Sequence, residues 1–125
     1  MQIVHEAAGA QAGHGADEQV LATDVSIAET TLEQLKGVMF EKTLPPEYGL
    51  VFPFETAKKR GVHMLFVHVP IDVVWTVDGT VTGVETLHPW TGYGRERADR
   101  IVELPAGAAA RVSVGDRVEV REGTD

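Results

Sequence analysis

The sequence predicts an α+β, mostly β fold: a compact, barrel-like mixed or antiparallel sheet with one main helix over about 31–39 and a short helical turn over about 105–110. Three observations lead there. Residues 61–90 carry the densest run of Val, Thr, Phe and Trp, side chains suited to a pleated, half-buried surface. Asp78 and Gly79 separate two such runs, and Asp-Gly is a strong hairpin signal because a type I′ turn needs positive φ at both central positions. Thr30 precedes Glu33 at the capping-box spacing, and Leu32, Leu35, Val38 and Met39 then recur at helical intervals.

In chain order, residues 2–5 read as a short edge strand and 6–18 as a Gly- and Ala-rich loop in which His14 is solvated. Residues 19–28 alternate with a change of parity near Asp24, as a strand with a bulge does. Gly37, unfavourable inside a helix by roughly 1 kcal/mol, marks either a C-terminal cap or a close approach to the sheet. Pro45 and Pro46 make 43–47 a loop, and 48–54 a strand in which Pro53 points to an edge or an irregularity. Lys58, Lys59, Arg60 and Gly61 read as a solvated turn, with a phosphate or carboxylate contact as the functional alternative. Strands follow at 62–69, 71–77 and 80–87. With Val77 opposite Thr80, an uninterrupted ladder sets Trp75 against Thr82, Val73 against Val84 and Asp72 against Glu85. Residues 88–99 form an irregular loop, 100–104 a strand, 105–110 the helical turn opened by Pro105, 118–121 a final strand and 122–125 a frayed tail.

A chain of 125 residues is expected to be one domain that folds without staples, and the lack of cysteine excludes disulfides and thiolate zinc sites. Nineteen acidic against eleven basic side chains give a formal charge of −8, which disfavours nucleic acid and anionic membrane surfaces as partners. Scarce lysine beside abundant acid, Ala, Val and Gly suggests a salt-adapted protein; an acidic protein from a GC-rich genome has the same composition. The longest apolar run, 64–67, is too short to span a bilayer and the first residues lack a signal-peptide pattern, so the expectation is a cytoplasmic protein.

The expected Asp72–Glu85 pairing sets two carboxylates face to face, which a proton, a cation or a basic side chain must relieve. His68, His88, Arg95, Arg97 and Arg100 are the available partners, and a carboxylate pair with histidine can serve a metal or acid–base chemistry. Against this, Asp72 follows Pro70 and can simply bond backbone amides at a turn, and a lone histidine on an apolar face such as His68 is more often packed than a ligand. The following loop concentrates Trp90, Tyr93, Arg95 and Arg97, the residue types that dominate binding hot spots, although Trp90 could instead plug a barrel end. No phosphate loop, nucleophile elbow or HExxH is present, so no cofactor is expected and no metal ligands are assigned. The preferred reading is a binding or accessory module for a small ligand or partner protein, with Asp72, Glu85, His88, Trp90, Tyr93, Arg95 and Arg97 as its binding residues; the alternative is a metal-dependent or acid–base enzyme using the Asp72, Glu85 and histidine group.

Four segments in order, 36–40 (KGVMF), 49–52 (GLVF), 68–75 (HVPIDVVW) and 102–107 (VELPAG), resemble domain-of-unknown-function family 192, also called uncharacterised protein family 0127, over roughly 20–120. Where many members have an aromatic, Met, Lys and Asn before the Pro-Leu-Asp, this chain has His63, Met64, Leu65 and Phe66, so no role of that Lys-Asn pair carries over. The 87–92 run (LHPWTG) looks more like the branch found in salt-loving archaea. The resemblance implies a compact, mostly β fold with one helix packed on it, and no assigned activity.

Overall fold

A computed structural model of the chain describes residues 1–9 and 18–122. The elements run β1 (Gln2–Glu6), β2 (Glu18–Ala22), β3 (Asp24–Ile27), α1 (Thr31–Lys36), β4 (Tyr48–His63), β5 (Ile71–Val77), β6 (Thr80–Leu87), β7 (Tyr93–Pro105) and β8 (Arg117–Arg121). All the strands join one sheet in the order β2-β1-β8-β6-β5-β7-β4-β3, with β3 and β4 parallel and the other neighbours antiparallel. The mostly β character is as expected, but the sheet is not closed into a barrel. Strands β2 and β3 are its two edges, joined in the chain by Thr23 alone. Strand β1, expected at an edge, lies between β2 and β8. Most of the 6–18 loop, including His14, and most of the tail lie outside the described residues.

Alternation along β5 sends Ile71, Val73 and Trp75 into one apolar cluster with Leu50, Phe52, Met64 and Ile101. Val74 joins the other face with Ile3, Val51, Val102, Leu104 and Val118. The sheet is therefore covered on both sides at its centre, and the middle of β7 has no solvent face.

The helix begins where expected. Thr30 Oγ1 accepts from Glu33 N at 3.1 Å and Glu33 Oε1 accepts from Thr30 N at 3.1 Å, closing the capping box. It does not continue to Met39 as the main helix expected from the apolar spacing. After a turn and a half it ends at Gly37, whose φ of 51° and ψ of −128° only glycine adopts readily. Nor does 105–110 form a helical turn. Successive four-residue turns form instead, with Ala108 N donating to Pro105 O at 3.1 Å and Ala110 N to Gly107 O at 3.2 Å, and Gly107 takes φ 96°.

Strand β4 continues through the basic 58–61 stretch, expected as a turn, and stops at His63, so 64–69 is not strand. Its second half pairs with 93–98 of β7, which shortens the expected 88–99 loop to 88–92. Lys, Arg and Glu favour strands weakly, but Val62 and Ala98 are buried across this ladder, and packing overrides local preference. The ladder is interrupted between Pro53 and Lys58, and beyond that break the β4–β7 arm lies over Trp75, whose Nε1 donates to Arg60 O at 3.0 Å.

At the hairpin, Val77 faces Thr80 and Thr76 faces Val81 as expected from Asp78-Gly79. A bulge then leaves Thr82 unpaired, so Trp75 faces Gly83, Val73 faces Glu85 and Asp72 faces Thr86.

Candidate functional site: a buried carboxyl beneath a basic-rimmed cavity

The bulge separates the two carboxylates expected to meet. Cross-strand partners share a face, so Asp72 goes with Thr86 to one side of the sheet and Glu85 with Val73 to the other. Asp72 is 3 % exposed, and its carboxylate accepts from Thr86 Oγ1 at 2.6 Å, Ala109 N at 2.8 Å and Gly107 N at 3.0 Å. It thereby fixes the 105–109 turns, the backbone-bonding role weighed from the sequence. Glu85 is exposed and its carboxylate lies against Gly94, where a Cβ would collide with it. Among the described residues no three His, Asp or Glu side chains are grouped to hold a metal.

The loop residues fare differently. Trp90 is 45 % and Tyr93 62 % exposed, and His88, Arg95 and Arg97 are exposed as well. Trp90 does not plug a barrel end. It stands edge-on to His68, centroids 5.2 Å apart, and to Phe66 at 5.4 Å, and Phe66 stacks on Phe40 at 5.4 Å. His68 is exposed rather than packed in a core. Phe40, Phe66 and Trp90 all hold positive φ, 71°, 63° and 66°. Such backbone costs a non-glycine residue about 1–3 kcal/mol and concentrates at functional sites. Hydrogen bonds from Phe40 N to Phe66 O (2.8 Å) and from Trp90 N to Val67 O (3.2 Å) tie the three loops together.

Register groups Tyr93, Arg95 and Arg97 with side chains that sequence reasoning left apart. His63 faces Tyr93, Gly61 faces Arg95 and Lys59 faces Arg97, so all share the outer face of the β4–β7 arm. The Tyr93 ring lies over Gly61, where a Cβ would strike it. Like charges directly opposite, as Lys59 and Arg97 are, are destabilising unless compensated. The ion pairs among the described residues use other cations: His5, Arg117 and Arg121.

Between this arm and the 36–39 loop opens a cavity of about 360 Å³, walled by Val38, Met39, Phe52, Val67 and Ile101 among others. Lys36, Lys59 and His63 are exposed at it and Arg60 is half-buried. Arg60 is held rigidly, its guanidinium 3.7 Å from the Phe54 centroid and donating to Ala98 O at 2.9 Å and Thr56 O at 2.8 Å. His63 Nδ1 accepts from Leu65 N at 3.2 Å, which leaves Nε2 to carry the proton.

At the base lies Glu103, which sequence reasoning missed as a functional residue. It sits on β7 between Leu50 of β4 and Val73 of β5, is 5 % exposed, and its Oε1 is buried without a hydrogen-bond partner. Gly37 comes close above it, and a Cβ there would stand 3.4 Å from Oε1. Burial pushes the Glu103 carboxyl up from 4.5 to about 8, so it is mainly protonated at neutral pH. The Tyr48 phenol is also raised, by burial first and then by the charge of Glu103 and other carboxylates nearby. One sequence signal pointed to Glu103: it shares parity with core-facing Ile101 in a five-residue strand otherwise apolar at its centre.

An open mixed sheet with a small, mainly apolar cavity ending on one unpartnered carboxyl defines the class, a compact, mostly β protein. A family model described as DUF192, uncharacterized ACR, matches residues 13–120. The chain belongs to the DUF192 family. It is 38 % identical over 102 residues to a UPF0127 protein of Pyrococcus furiosus, covering 77 % of this chain and 85 % of that one. A UPF0127 protein of Thermococcus kodakarensis is 30 % identical over 114 residues, covering 90 % of this chain and 67 % of that one. Among solved structures, a protein of unknown function from Novosphingobium aromaticivorans matches with a TM-score of 0.79 at 22 % identity, over 96 % of this chain and 84 % of that one, a likeness of fold.

Proposed function

We propose that the protein is a small-molecule binding module whose site is the cavity above Glu103. The observation that carries this reading is the buried, unpartnered Oε1 of Glu103 at an open apolar cavity. A buried polar atom without a partner costs about 1–3 kcal/mol, and native proteins retain such atoms where something outside the fold satisfies them. The cavity volume is at the small end of the range for ligand pockets, about 300–1,000 Å³. In this reading Tyr93, Arg95 and Arg97 extend the rim, and His88 and Trp90 belong to the neighbouring aromatic face, which is available to a partner protein. Asp72 lies on the opposite face of the sheet, where it fixes the 105–109 turns, and is not part of this cavity.

An acid–base enzyme is the second reading, favoured by one observation: a carboxyl whose proton leaves near pH 8 beside a raised tyrosine is poised for proton transfer. It would rest on Glu103 and Tyr48 rather than on Asp72 and Glu85. The test is a fragment screen by ¹⁵N–¹H NMR on the wild type and on Glu103→Gln. Binding predicts hits that shift the amides of Val38, Val67 and Ile101 and weaken in the variant. If no fragment shifts those amides, the cavity is a packing defect and the reading is wrong.

A further inference from the structure

We propose that the cavity selects a small amphipathic anion, whose apolar body lies against Val38, Met39, Phe52 and Ile101 and whose charged group meets Lys36, Lys59 and Arg60 at the mouth. This rests on the small-molecule reading above. The argument is one of charge placement. The chain carries −8 overall, yet the exposed side chains at this cavity include two lysines, with Arg60 half-buried beside them. Arg97 stands directly across from Lys59, and Arg95 follows on the same outer face. Glu96 stands opposite Arg60 and Asp99 lies near it, but neither lines the cavity, whose lining has Glu103 as its one acid. A positive rim on an acidic protein steers and orients an anion, and repels a cation.

The interior is complementary to the rest of such a molecule. Its walls are mainly Val, Met, Phe and Ile side chains; Gln34 also lines it, its amide nitrogen already donating to Ala28 O and Pro53 O, and Glu103 is the carboxyl at the base. Burial keeps that carboxyl mainly protonated at neutral pH, so it adds little negative charge against an incoming anion and can donate a hydrogen bond. Arg60 is braced by two backbone carbonyls and the Phe54 ring, so its charge is positioned before the ligand arrives. The Lys58-Lys59-Arg60 cluster is therefore strand rather than turn, Lys59 and Arg60 line the site, and the carboxylate or phosphate contact weighed from the sequence becomes their preferred role.

Three probes with one apolar body separate the possibilities: octanoate, 1-octanol and octylamine, titrated at pH 7 and low salt against the full chain, followed by NMR and calorimetry. Octanoate is expected to bind at least about tenfold more tightly than 1-octanol, and octylamine more weakly than either. The double variant Lys36→Gln/Lys59→Gln alters two exposed positions, so it should fold. It is expected to lose about tenfold for octanoate while its 1-octanol affinity stays within about twofold. If 1-octanol or octylamine matches octanoate, or the double variant keeps the preference, the anion proposal is overturned while the cavity remains a ligand site. If none of the three shifts the amides of Val38, Val67 and Ile101 and the fragment screen is also blank, both readings fall together.

Discussion

Glu103 is a side chain whose protonation bears directly on the stability of this fold. Its folded pKa of about 8 lies above the ordinary 4.5, so the folded state keeps a proton that the unfolded state releases. Stability from this group is therefore greatest below about pH 4.5 and falls as pH rises towards 8, where the loss is complete. At about 1.36 kcal/mol per pH unit of separation, the ceiling is roughly 5 kcal/mol. Glu103→Gln is expected to melt higher than the wild type at pH 9 and close to it at pH 4.5. Parallel melting curves across that range would remove the buried-acid account. Asp116 has the opposite sign. Burial works against its charge, but hydrogen bonds from Ala8 N (2.7 Å), His5 Nε2 (2.8 Å) and Ser113 N (2.9 Å) outweigh that and hold its carboxyl low. Its contribution is present at neutral pH and disappears only in acid.

At the scale of elements, what the sequence made legible was local. The Asp78-Gly79 turn and the capping box at Thr30 each depend on residues within a few positions, and both formed. What it hid depends on partners far along the chain. The second half of β4 is basic and that of β7 is charged, so neither reads as a strand until Val62 and Ala98 are seen to be covered together. The bulge at Thr82 is hidden for the same reason. Thr82 Oγ1 lies 2.6 Å from Arg97 O and 3.2 Å from Trp75 O, and Arg97 belongs to the arm. One hydroxyl thus ties the bulged hairpin to the overlying ribbon, and that irregularity sent Asp72 and Glu85 to opposite faces. Thr82→Val is expected to cost about 1 kcal/mol in urea denaturation. An unchanged midpoint would mean that backbone packing alone sets the bulge. Glu103 was easily passed over because a carboxylate in a short strand ordinarily faces water; its shared parity with Ile101 is the one sequence hint, and the sheet order shows that β7 has no such face there.

For the whole molecule, a formal charge of −8 implies self-repulsion that salt relieves, and the clustering of cations on one arm leaves the remaining surface more acidic still. The melting temperature is expected to rise between low and molar potassium chloride; a flat or falling trend would make the acidity incidental. Salt should at the same time weaken octanoate at the basic rim, so stability and affinity should move in opposite directions. The open sheet has a subtler consequence. Its edges, β2 and β3, are consecutive in the chain, and the amides of Thr23 and Asp24 both donate to the single carbonyl of Glu47, at 3.0 and 2.9 Å. That oxygen acts as a clasp on a wrapped garment: while it holds, neither border is free to fray, and once it slips both are loose at once. Native-state hydrogen exchange is accordingly expected to give Thr23 and Asp24 one shared opening free energy, with the β2 and β3 amides released in the same event rather than one border after the other.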